Sequence, residues 1–378
     1  MACRPRLLRQ LTSPIPTVLR SSHRLFSTAA AADPANTTQI YISRSRDPLL
    51  NLSVEHHLLR TASAHATVLM LYANAPCVVF GRNQNPWIEA DLTRLARQGG
   101  VQLVRRRSGG GTVFHDEGNV NFSVACPSAA FDRDRHAEMV VRALRRLGRP
   151  SARVNARHDI VVDAGPDTFK VSGSAYKLTR LRSLHHGTCL LRSPNLASIS
   201  ALLRAPAAPF VKARGVDSVR SPVRNLDLDA DAFQEAVVRE FEDMYGGPPR
   251  LRAVVEHDAA MAVDEVRRGY EEMRAREWVY GQTPRFAFAT HPTELDPRPR
   301  PELPFKERVH FEAKQGVIER FEIEDGNCVQ RELSLVGATV YNFGDWSAQL
   351  ADAGVASQQA QYIGGWLNGV LGTEFTKP

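Results

Sequence analysis

The stretch that decides the fold is RRRSGGGTVFHDEGNVNFS, residues 105–123, between the apolar run Val101–Val104 and an alternating run that ends at Val124. Three consecutive glycines in this position predict a loop that joins two β-strands. Because glycine has no Cβ, backbone N–H groups of such a loop can approach a ligand closely. The adjacent arginines carry permanent positive charge, so the loop suits a phosphate or a carboxylate. It is neither a Walker A loop nor a Rossmann fingerprint, and taken alone it also describes a flexible hairpin with solvated arginines.

Composition indicates a globular protein, with 43% hydrophobic and 24% charged residues among 378. That length predicts two domains. No apolar run approaches the roughly 20 residues of a membrane span, so we expect no membrane association. The five cysteines are scattered without a C-x-x-C pair, which argues against a structural zinc site and a disulfide framework.

The N-terminus has the composition of a mitochondrial transit peptide. Residues 1–32 contain five arginines and several serines, and Asp33 is the first acid. We expect residues 1–26 to be removed near Phe26–Ser27, which places the protein in the mitochondrial matrix. The alternative is a disordered cytosolic tail. Removal of residues 1–26 lowers the formal charge from +7 to +2, so the basic balance gives little support for nucleic-acid binding.

Short strands and amphipathic helices alternate irregularly along the chain. Strands are predicted at residues 38–43, 68–72, 77–81, 101–104, 159–163, 168–176 and 187–191, and helices at 50–60, 85–95, 137–147, 195–203 and 231–245. Short connections between neighbouring strands favour an α+β fold with mixed or antiparallel sheets over a doubly wound fold. A proline-rich segment, strands at 309–313 and 317–323 and a helix at 357–371 predict a small α+β C-terminal domain over residues 283–378.

A second stretch, DTFKVSGSAYK at residues 167–177, carries a lysine inside a predicted strand. A strand lysine by itself most simply faces solvent, since lysine is seldom buried. However, the small residues Ser172–Ala175 leave room for something flat or long to lie against the strand. The segments HHGT (185–188) and KARGVDSVRSPVRNL (212–226) follow.

Together these blocks resemble the lipoate–protein ligases of the A type, in the biotin/lipoate ligase superfamily. GRNQNPW (81–87) and WVYGQTP (278–284) also fit, so the resemblance spans about residues 40–285. It implies an α+β catalytic domain at residues 38–282, related to the biotin ligases, and a small C-terminal accessory domain. It also implies that lipoate reacts with ATP, accompanied by Mg²⁺, to give lipoyl-AMP and pyrophosphate. The acyl group then passes to a lysine of a lipoyl domain.

The resemblance assigns roles residue by residue. The catalytic residue is Lys170, which would offset the repulsion between carboxylate and triphosphate and stabilise developing charge. ATP contacts are implied for Arg106, Gly111, Thr112, Val113, Phe114 and Lys170, and lipoate contacts for Lys170, Ser108, Gly109, Gly110, Ser172, Gly173 and His186. Asp159 orients Lys170, holds a metal, or is a plain strand-end acid. For His115 and Asp116 we favour structural hydrogen bonds.

Two departures from the family pattern leave alternatives open. Arg107 stands where the bacterial sequences have a small residue, and residues 164–166 lengthen the hairpin before Lys170. A lipoyl- or octanoyltransferase without the activation step, using lipoyl-AMP, acyl-CoA or another lipoylated protein as donor, therefore remains an alternative. A non-catalytic adenylate- or RNA-binding protein is a third. The partners implied are the glycine-cleavage H protein and the E2 subunits of 2-oxoacid dehydrogenases, with no nucleic acid and a monomeric enzyme.

Overall fold

The computed structural model describes residues 24–324 and 330–376, and this part of the chain adopts an α+β fold. The first nine strands are β1 (Arg24–Leu25), β2 (Thr38–Ser43), β3 (Thr67–Ala73), β4 (Cys77–Phe80), β5 (Gln102–Arg105), β6 (Val113–His115), β7 (Asn119–Pro127), β8 (Arg153–Val154) and β9 (Ile160–Ala164). The others are β10 (Asp167–Ser172), β11 (Ser174–Leu178), β12 (Arg182–Leu190), β13 (Val211–Ala213), β14 (Leu251–Val255), β15 (Phe286–Ala289), β16 (Arg308–Lys314), β17 (Val317–Glu324) and β18 (Gln330–Glu332).

The helices are short, and several begin at a capping side chain. They are α1 (Thr28–Ala32), α2 (Pro48–Thr61), α3 (Pro86–Glu89), α4 (Leu92–Gln98), α5 (Arg135–Arg146), α6 (Leu196–Leu202), α7 (Ala230–Met244), α8 (His257–Met261), α9 (Asp264–Arg274), α10 (Arg276–Val279), α11 (Trp346–Asp352), α12 (Ser357–Leu371) and α13 (Thr373–Thr376). Within the described residues, every helix is too short or too polar to span a bilayer.

A seven-stranded mixed sheet forms the centre of the molecule, in the order β1-β14-β2-β3-β7-β12-β11. The strands from β1 to β3 are parallel, and those from β3 to β11 are antiparallel. Successive residues of β3 face opposite sides, so Leu69 and Leu71 join the core under α5 and α7. Val68 and Met70 join the core that α2 completes. The prediction of mixed sheets packed between helices is therefore confirmed.

The strand predicted at residues 168–176 is in fact two strands. β10 pairs with β9 in a three-stranded sheet, whereas β11 pairs with β12 in the large sheet. Gly173 lies between them, and the register of β10 is also irregular between Lys170 and Ser172. The chain therefore changes sheets next to the lysine that the sequence singled out.

The helix predicted at residues 85–95 is also two helices. The Asn85 side chain caps α3 by accepting from the N–H of Trp87, and the Asp91 side chain begins α4 by accepting from the N–H of Arg94. Each cap satisfies amide groups that a helix start leaves free, so two caps six residues apart favour two short helices over one continuous helix.

The C-terminal region contains its own five-stranded antiparallel sheet, β13-β15-β16-β17-β18. Its strands and α12 confirm the elements predicted there. One edge strand, β13, comes from residues 211–213, outside the range predicted for the accessory domain. The aromatic core is also shared, because Trp87 lies 5.4 Å from Phe286 and 5.7 Å from Tyr280, measured between ring centroids.

The residues just before α1 belong to the fold. β1 pairs in parallel with β14, and the N–H of Phe26 donates to the carbonyl of Val254 at 2.9 Å. The Phe26 ring is buried against Tyr41 and His57. Most of the predicted transit peptide, residues 1–23, lies outside the described residues. Its expected end at residue 26, however, would remove a side chain from the core.

Candidate active site

Lys170 lies where the two sheets meet. Its Nζ is 2.9 Å from Oδ1 of Asp159, and its backbone N–H donates to the carbonyl of Pro222 at 2.8 Å. Asp159 is buried, while the Lys170 side chain is 22% exposed. A Cβ added at Gly173 would lie 3.3 Å from both Cε and Nζ of Lys170. Gly173 thus supplies the room that the run of small residues predicted, and Asp159 orients the lysine.

The glycine loop lies between two strands, as predicted, but the strand that follows it is β6, which was not predicted before the run at residues 119–124. The loop packs closely against its neighbours. Gly110 has φ +85, a conformation that favours glycine, and its carbonyl lies 2.1 Å from where a Cβ of Gly81 would stand. The N–H of Gly109 donates to the carbonyl of Tyr176. Among the described residues, the N–H groups of Gly110 and Gly111 find no protein acceptor, so they remain available to a ligand.

The arginines beside the loop were expected to offer their positive charge to a ligand, but Arg105 and Arg106 are engaged by groups of the protein. Arg106 is buried, and its guanidinium donates to the carbonyls of Gly109 at 2.6 Å and Gly111 at 2.8 Å, which holds the loop in shape. Arg105 is also buried and donates to five groups of neighbouring segments, among them the hydroxyl of Thr283. Burial lowers the pKa of Arg106 to about 10 and that of Arg105 to about 9.

The segment at residues 216–219 closes over the loop from the other side. The Ser218 hydroxyl accepts from the N–H of Thr112 at 2.8 Å and donates to the Glu89 carboxylate. Gln84 joins the cluster through the Thr112 hydroxyl and the Ser218 hydroxyl. Burial raises the pKa of Glu89, and its hydrogen bond from Ser218 opposes that rise.

A buried chain of hydrogen bonds runs behind the loop. Ser108 Oγ lies 2.7 Å from Nε2 of His186, whose Nδ1 lies 2.9 Å from Oε2 of Glu55. The Tyr72 hydroxyl donates to the same oxygen at 3.2 Å. A serine, a histidine and a carboxylate in this order resemble a nucleophile triad. Ser108 is 2% exposed and lines neither of the cavities described next, so here the chain is structural.

Two cavities, of about 470 and 340 Å³, meet at Lys170. Both are lined by Lys170, Thr112, Val113, Gly173, Thr188, Asp217, Ser218 and Val219. The larger cavity continues along Leu196, Ile199 and Arg298. The smaller cavity reaches inward to Leu52, Tyr72 and Val79. One cation therefore faces two separate binding spaces.

Most of the predicted site residues are brought together around these cavities. Thr112, Val113, Lys170 and Gly173 line both; Phe114 and Ser172 line the larger; Arg106, Gly110, Gly111, Asp159 and His186 line the smaller. Ser108 and Gly109 line neither, and in this structure they act through the shape of the loop. His115 and Asp116 make the predicted hydrogen bonds, to Asn74 and to Ser193, and His115 also lines the smaller cavity.

Sequence reasoning missed several residues of the site. Glu55 falls within the helix predicted at residues 50–60, but neither it nor Glu89 or Gln84 was assigned to the site. Each acts across a large sequence separation, since Glu55 bonds His186 and Glu89 bonds Ser218. The one available signal was the KARGVDSVRS block, which contains Ser218.

The residues present are compatible with a magnesium ion that arrives with a nucleotide. In residues 24–324 and 330–376 there is no group of three or more His, Cys, Asp or Glu that could hold a metal. Mg²⁺ often binds through one or two carboxylates together with substrate phosphates. Asp159 offers such a carboxylate, because only its Oδ1 is engaged by Lys170.

Comparison with known proteins identifies the class to which this α+β chain belongs. The family model of the lipoyl protein ligase A/B catalytic domain matches residues 47–242. A putative lipoate-protein ligase A of Schizosaccharomyces pombe is 37% identical over 277 residues, which cover 68% of this chain and 74% of that protein. The chain therefore belongs to the lipoyl protein ligase A/B family.

Solved structures show the same fold. The LipL1 protein of P. falciparum, in complex with lipoate, has a TM-score of 0.54 and 22% identity, and covers 76% of this chain and 84% of that one. A bipartite lipoate protein ligase of Thermoplasma acidophilum, solved with its E2 lipoyl domain, has a TM-score of 0.53 and 23% identity over 64% and 95% of the chains. A lipoate-protein ligase A bound with ATP has a TM-score of 0.52 and 23% identity over 65% and 98%.

Proposed function

We propose that this protein activates lipoate with ATP, forming lipoyl-AMP and pyrophosphate, and transfers the lipoyl group to a lysine of lipoyl domains. The observation that carries the proposal is the position of Lys170 between two cavities, oriented by Asp159 at 2.9 Å. An acyl acid and a nucleotide are both anions, and a cation between them offsets their repulsion.

The smaller cavity suits the acyl chain, because its inner end is formed by Leu52, Tyr72 and Val79. The larger cavity suits the nucleotide, because it is lined by Ser218 and Arg298 among others. In this assignment Arg106 and Gly111, which were expected to contact ATP, line the acyl cavity, and Ser172, which was expected to contact lipoate, lines the nucleotide cavity. In this arrangement the carboxylate lies at Lys170, next to the α-phosphate. The free N–H groups of Gly110 and Gly111 then face the anionic groups at the junction.

Lys170 serves both half-reactions. In the first, its ammonium stabilises charge on the phosphate and carboxylate oxygens as the carboxylate attacks the α-phosphate. In the second, it stabilises the carbonyl oxygen as the amine of the acceptor lysine attacks the acyl carbon and AMP leaves. Its positive charge also favours the unprotonated, nucleophilic form of that amine. Mg²⁺ bound with the ATP, with Asp159 as a candidate ligand, would neutralise phosphate charge.

We also propose where the enzyme works, which proteins accept the lipoyl group and in which oligomeric state it acts. The arginine-rich, acid-poor start of the chain supports a mitochondrial location. The Thermoplasma ligase solved with an E2 lipoyl domain supports lipoyl domains as acceptors, such as those of 2-oxoacid dehydrogenases and the H protein. We propose that the enzyme works as a monomer.

The test is lipoate-dependent ATP–pyrophosphate exchange by the chain that begins at Arg24. The unaltered protein should exchange well above a control without lipoate, and Lys170→Ala should lower the rate roughly 100-fold or more. Asp159→Asn, which weakens the orientation of the lysine and removes one charge from a candidate magnesium ligand, should have a smaller effect. Undiminished exchange by a folded Lys170→Ala protein would contradict the proposed role.

The transferase alternative has its own outcome in the same series. It is supported by Arg107 and by the lengthened hairpin at residues 164–166, where the sequence departs from the bacterial ligases. If the unaltered protein shows no exchange but transfers lipoate from synthetic lipoyl-AMP to an apo lipoyl domain, only the second half-reaction is present.

A further inference from the structure

A cluster of cationic side chains lies beside the glycine loop, outside both cavities. We call it the basic cluster; its members are His56, Arg60, Arg82, Arg107 and Lys177. Two of the segments that carry the cluster are hydrogen-bonded to the loop. The N–H of Arg82 donates to the carbonyl of Ser108, and the N–H of Gly109 donates to the carbonyl of Tyr176, the residue before Lys177.

Two members of the basic cluster, Arg82 and Arg107, pack against the indole of Trp278. The guanidinium carbons of Arg82 and Arg107 lie 4.5 and 4.7 Å from the centroid of that ring. Such contacts fix the two cations on an aromatic surface. Arg107 makes the cluster's one ion pair in the described part of the chain, with Glu272 at 2.6 Å.

The other cations of the basic cluster have no ion-pair partner in the described part of the chain, although the nearby Glu272 and Glu55 carboxylates favour the charged forms of Arg82 and Lys177. Among the described residues, the side chains of Arg82 and Lys177 donate to no protein acceptor and make no ion pair, although both are only partly exposed. Burial and neighbouring positive charges lower the pKa of Lys177 and of Arg82. Burial, Lys177 and Arg107 likewise lower the pKa of His56. Like charges held this close disfavour one another unless an anion compensates them.

The compensating anion does not come from the two substrates. None of the five members of the basic cluster lines either cavity. The acyl acid and the nucleotide, placed as proposed above, therefore leave these charges uncompensated. A protein surface that carries carboxylates and docks next to the glycine loop would compensate them.

We infer that the basic cluster is a docking site for an acidic surface of the acceptor lipoyl domain, presented while its lysine enters the site at Lys170. This deepens the proposed function and rests on it. Opposite charges on two surfaces increase the association rate and fix the orientation of the complex, and both effects weaken with salt.

The experiment separates the two half-reactions. Transfer from synthetic lipoyl-AMP to an apo lipoyl domain is measured at several salt concentrations for the unaltered chain and for Lys177→Glu, Lys177→Met and Lys177→Arg. We expect Lys177→Glu to lower kcat/KM for the acceptor about tenfold at low salt and Lys177→Met to lower it less. Lys177→Arg keeps the positive charge and should keep the kcat/KM of the unaltered chain. The loss should shrink as salt rises.

The control is a substitution that changes the net charge by the same amount but lies elsewhere on the surface. Arg239 is on the exposed side of α7, and Arg239→Glu changes the net charge as Lys177→Glu does. This variant should leave transfer unchanged. ATP–pyrophosphate exchange, which needs no acceptor, should be the same in all these variants.

Three outcomes overturn the inference. Transfer by Lys177→Glu that equals transfer by the unaltered chain shows that no acceptor docks there. An equal loss with Arg239→Glu shows an effect of net charge alone. A parallel loss of exchange assigns the cluster to the substrates. If the unaltered chain transfers nothing from lipoyl-AMP, the proposed function itself has failed, which is a different result.

Discussion

Glu55 supports the wall of the smaller cavity through a single carboxylate oxygen. That oxygen receives the Nδ1–H of His186 and the hydroxyl of Tyr72, and both of these residues line the cavity. Burial and the nearby Glu55 charge raise the pKa of Tyr72 well above its usual value, so its hydroxyl stays a donor. The orientation of two cavity side chains therefore depends on one buried acid.

Replacement of Glu55 by alanine should destabilise the protein by about 3 kcal/mol, because two buried donors lose their acceptor at about 1–3 kcal/mol each. Glu55→Gln keeps a carbonyl oxygen in place and should cost less than about 1 kcal/mol. Urea unfolding measures both free energies. Equal values for the two variants would show that the hydrogen bonds at Glu55 do not stabilise the fold.

For single residues, the sequence predicts roles that depend on neighbours in the chain. Lys170 was singled out because a run of small residues follows it, and Gly173 in that run leaves room for its side chain. The arginines were expected to face a ligand, yet Arg105 and Arg106 donate to backbone carbonyls. Nothing local distinguishes an arginine that binds an anion from one that holds a loop, because the carbonyls come from distant segments.

At the scale of elements, the site depends on two irregular connections. The first is Gly173, where the chain leaves the sheet of β9 and β10 for the large sheet. The second is the glycine loop, held between Arg106 and Ser218. Regular strands would place Lys170 and the loop on separate sheets, and these connections bring them to one place.

The two glycines in the middle of the loop give a matched test of that geometry. Gly110→Ala should cost about 2 kcal/mol, because a φ of +85 disfavours a Cβ, which would also lie 2.9 Å from Nη2 of Arg106. Gly109→Ala places its Cβ no closer than 3.9 Å to a neighbour and should cost less than about 0.5 kcal/mol. Thermal unfolding compares them, and similar melting temperatures would show that the loop tolerates either change.

Sequence periodicity located most elements but not their interruptions. The helix α2 and the strands β2, β16 and β17 fall where they were predicted. The missed break at Gly173 occurs where the chain changes sheets, and the missed break at Ala90–Asp91 occurs where the Asp91 side chain caps a second helix. At the second break, Glu89 ends α3 and turns to bond Ser218. The spacing of apolar residues cannot predict this hydrogen bond, because Glu89 and Ser218 are far apart in the chain.

At the scale of the whole molecule, the predicted domains share their packing. The sheet of the C-terminal region takes β13 from the catalytic part, and Arg298 lines the larger cavity. Arg105 joins the glycine loop to Thr283 across the predicted boundary. The strands and the helix predicted for the C-terminal region are present, while the division into two domains stays a prediction. The shared core was not visible because its residues, such as Trp87 and Phe286, are far apart in the chain.

If the transit peptide is cleaved as proposed, the packing of β1 and Phe26 predicts that the remaining chain begins at or before Arg24. A chain that begins at Ser27 loses β1 and the buried Phe26 ring, which lies 5.9 Å from Tyr41 between centroids. We expect it to be less stable than the chain from Arg24 by about 3 kcal/mol, and Phe26→Ala in the longer chain should account for most of that loss. Leu25→Ala is the matched control, because Leu25 is 59% exposed. N-terminal sequencing of the imported protein checks the consequence: a start at Ser27, with undiminished stability, would contradict a structural role for Phe26.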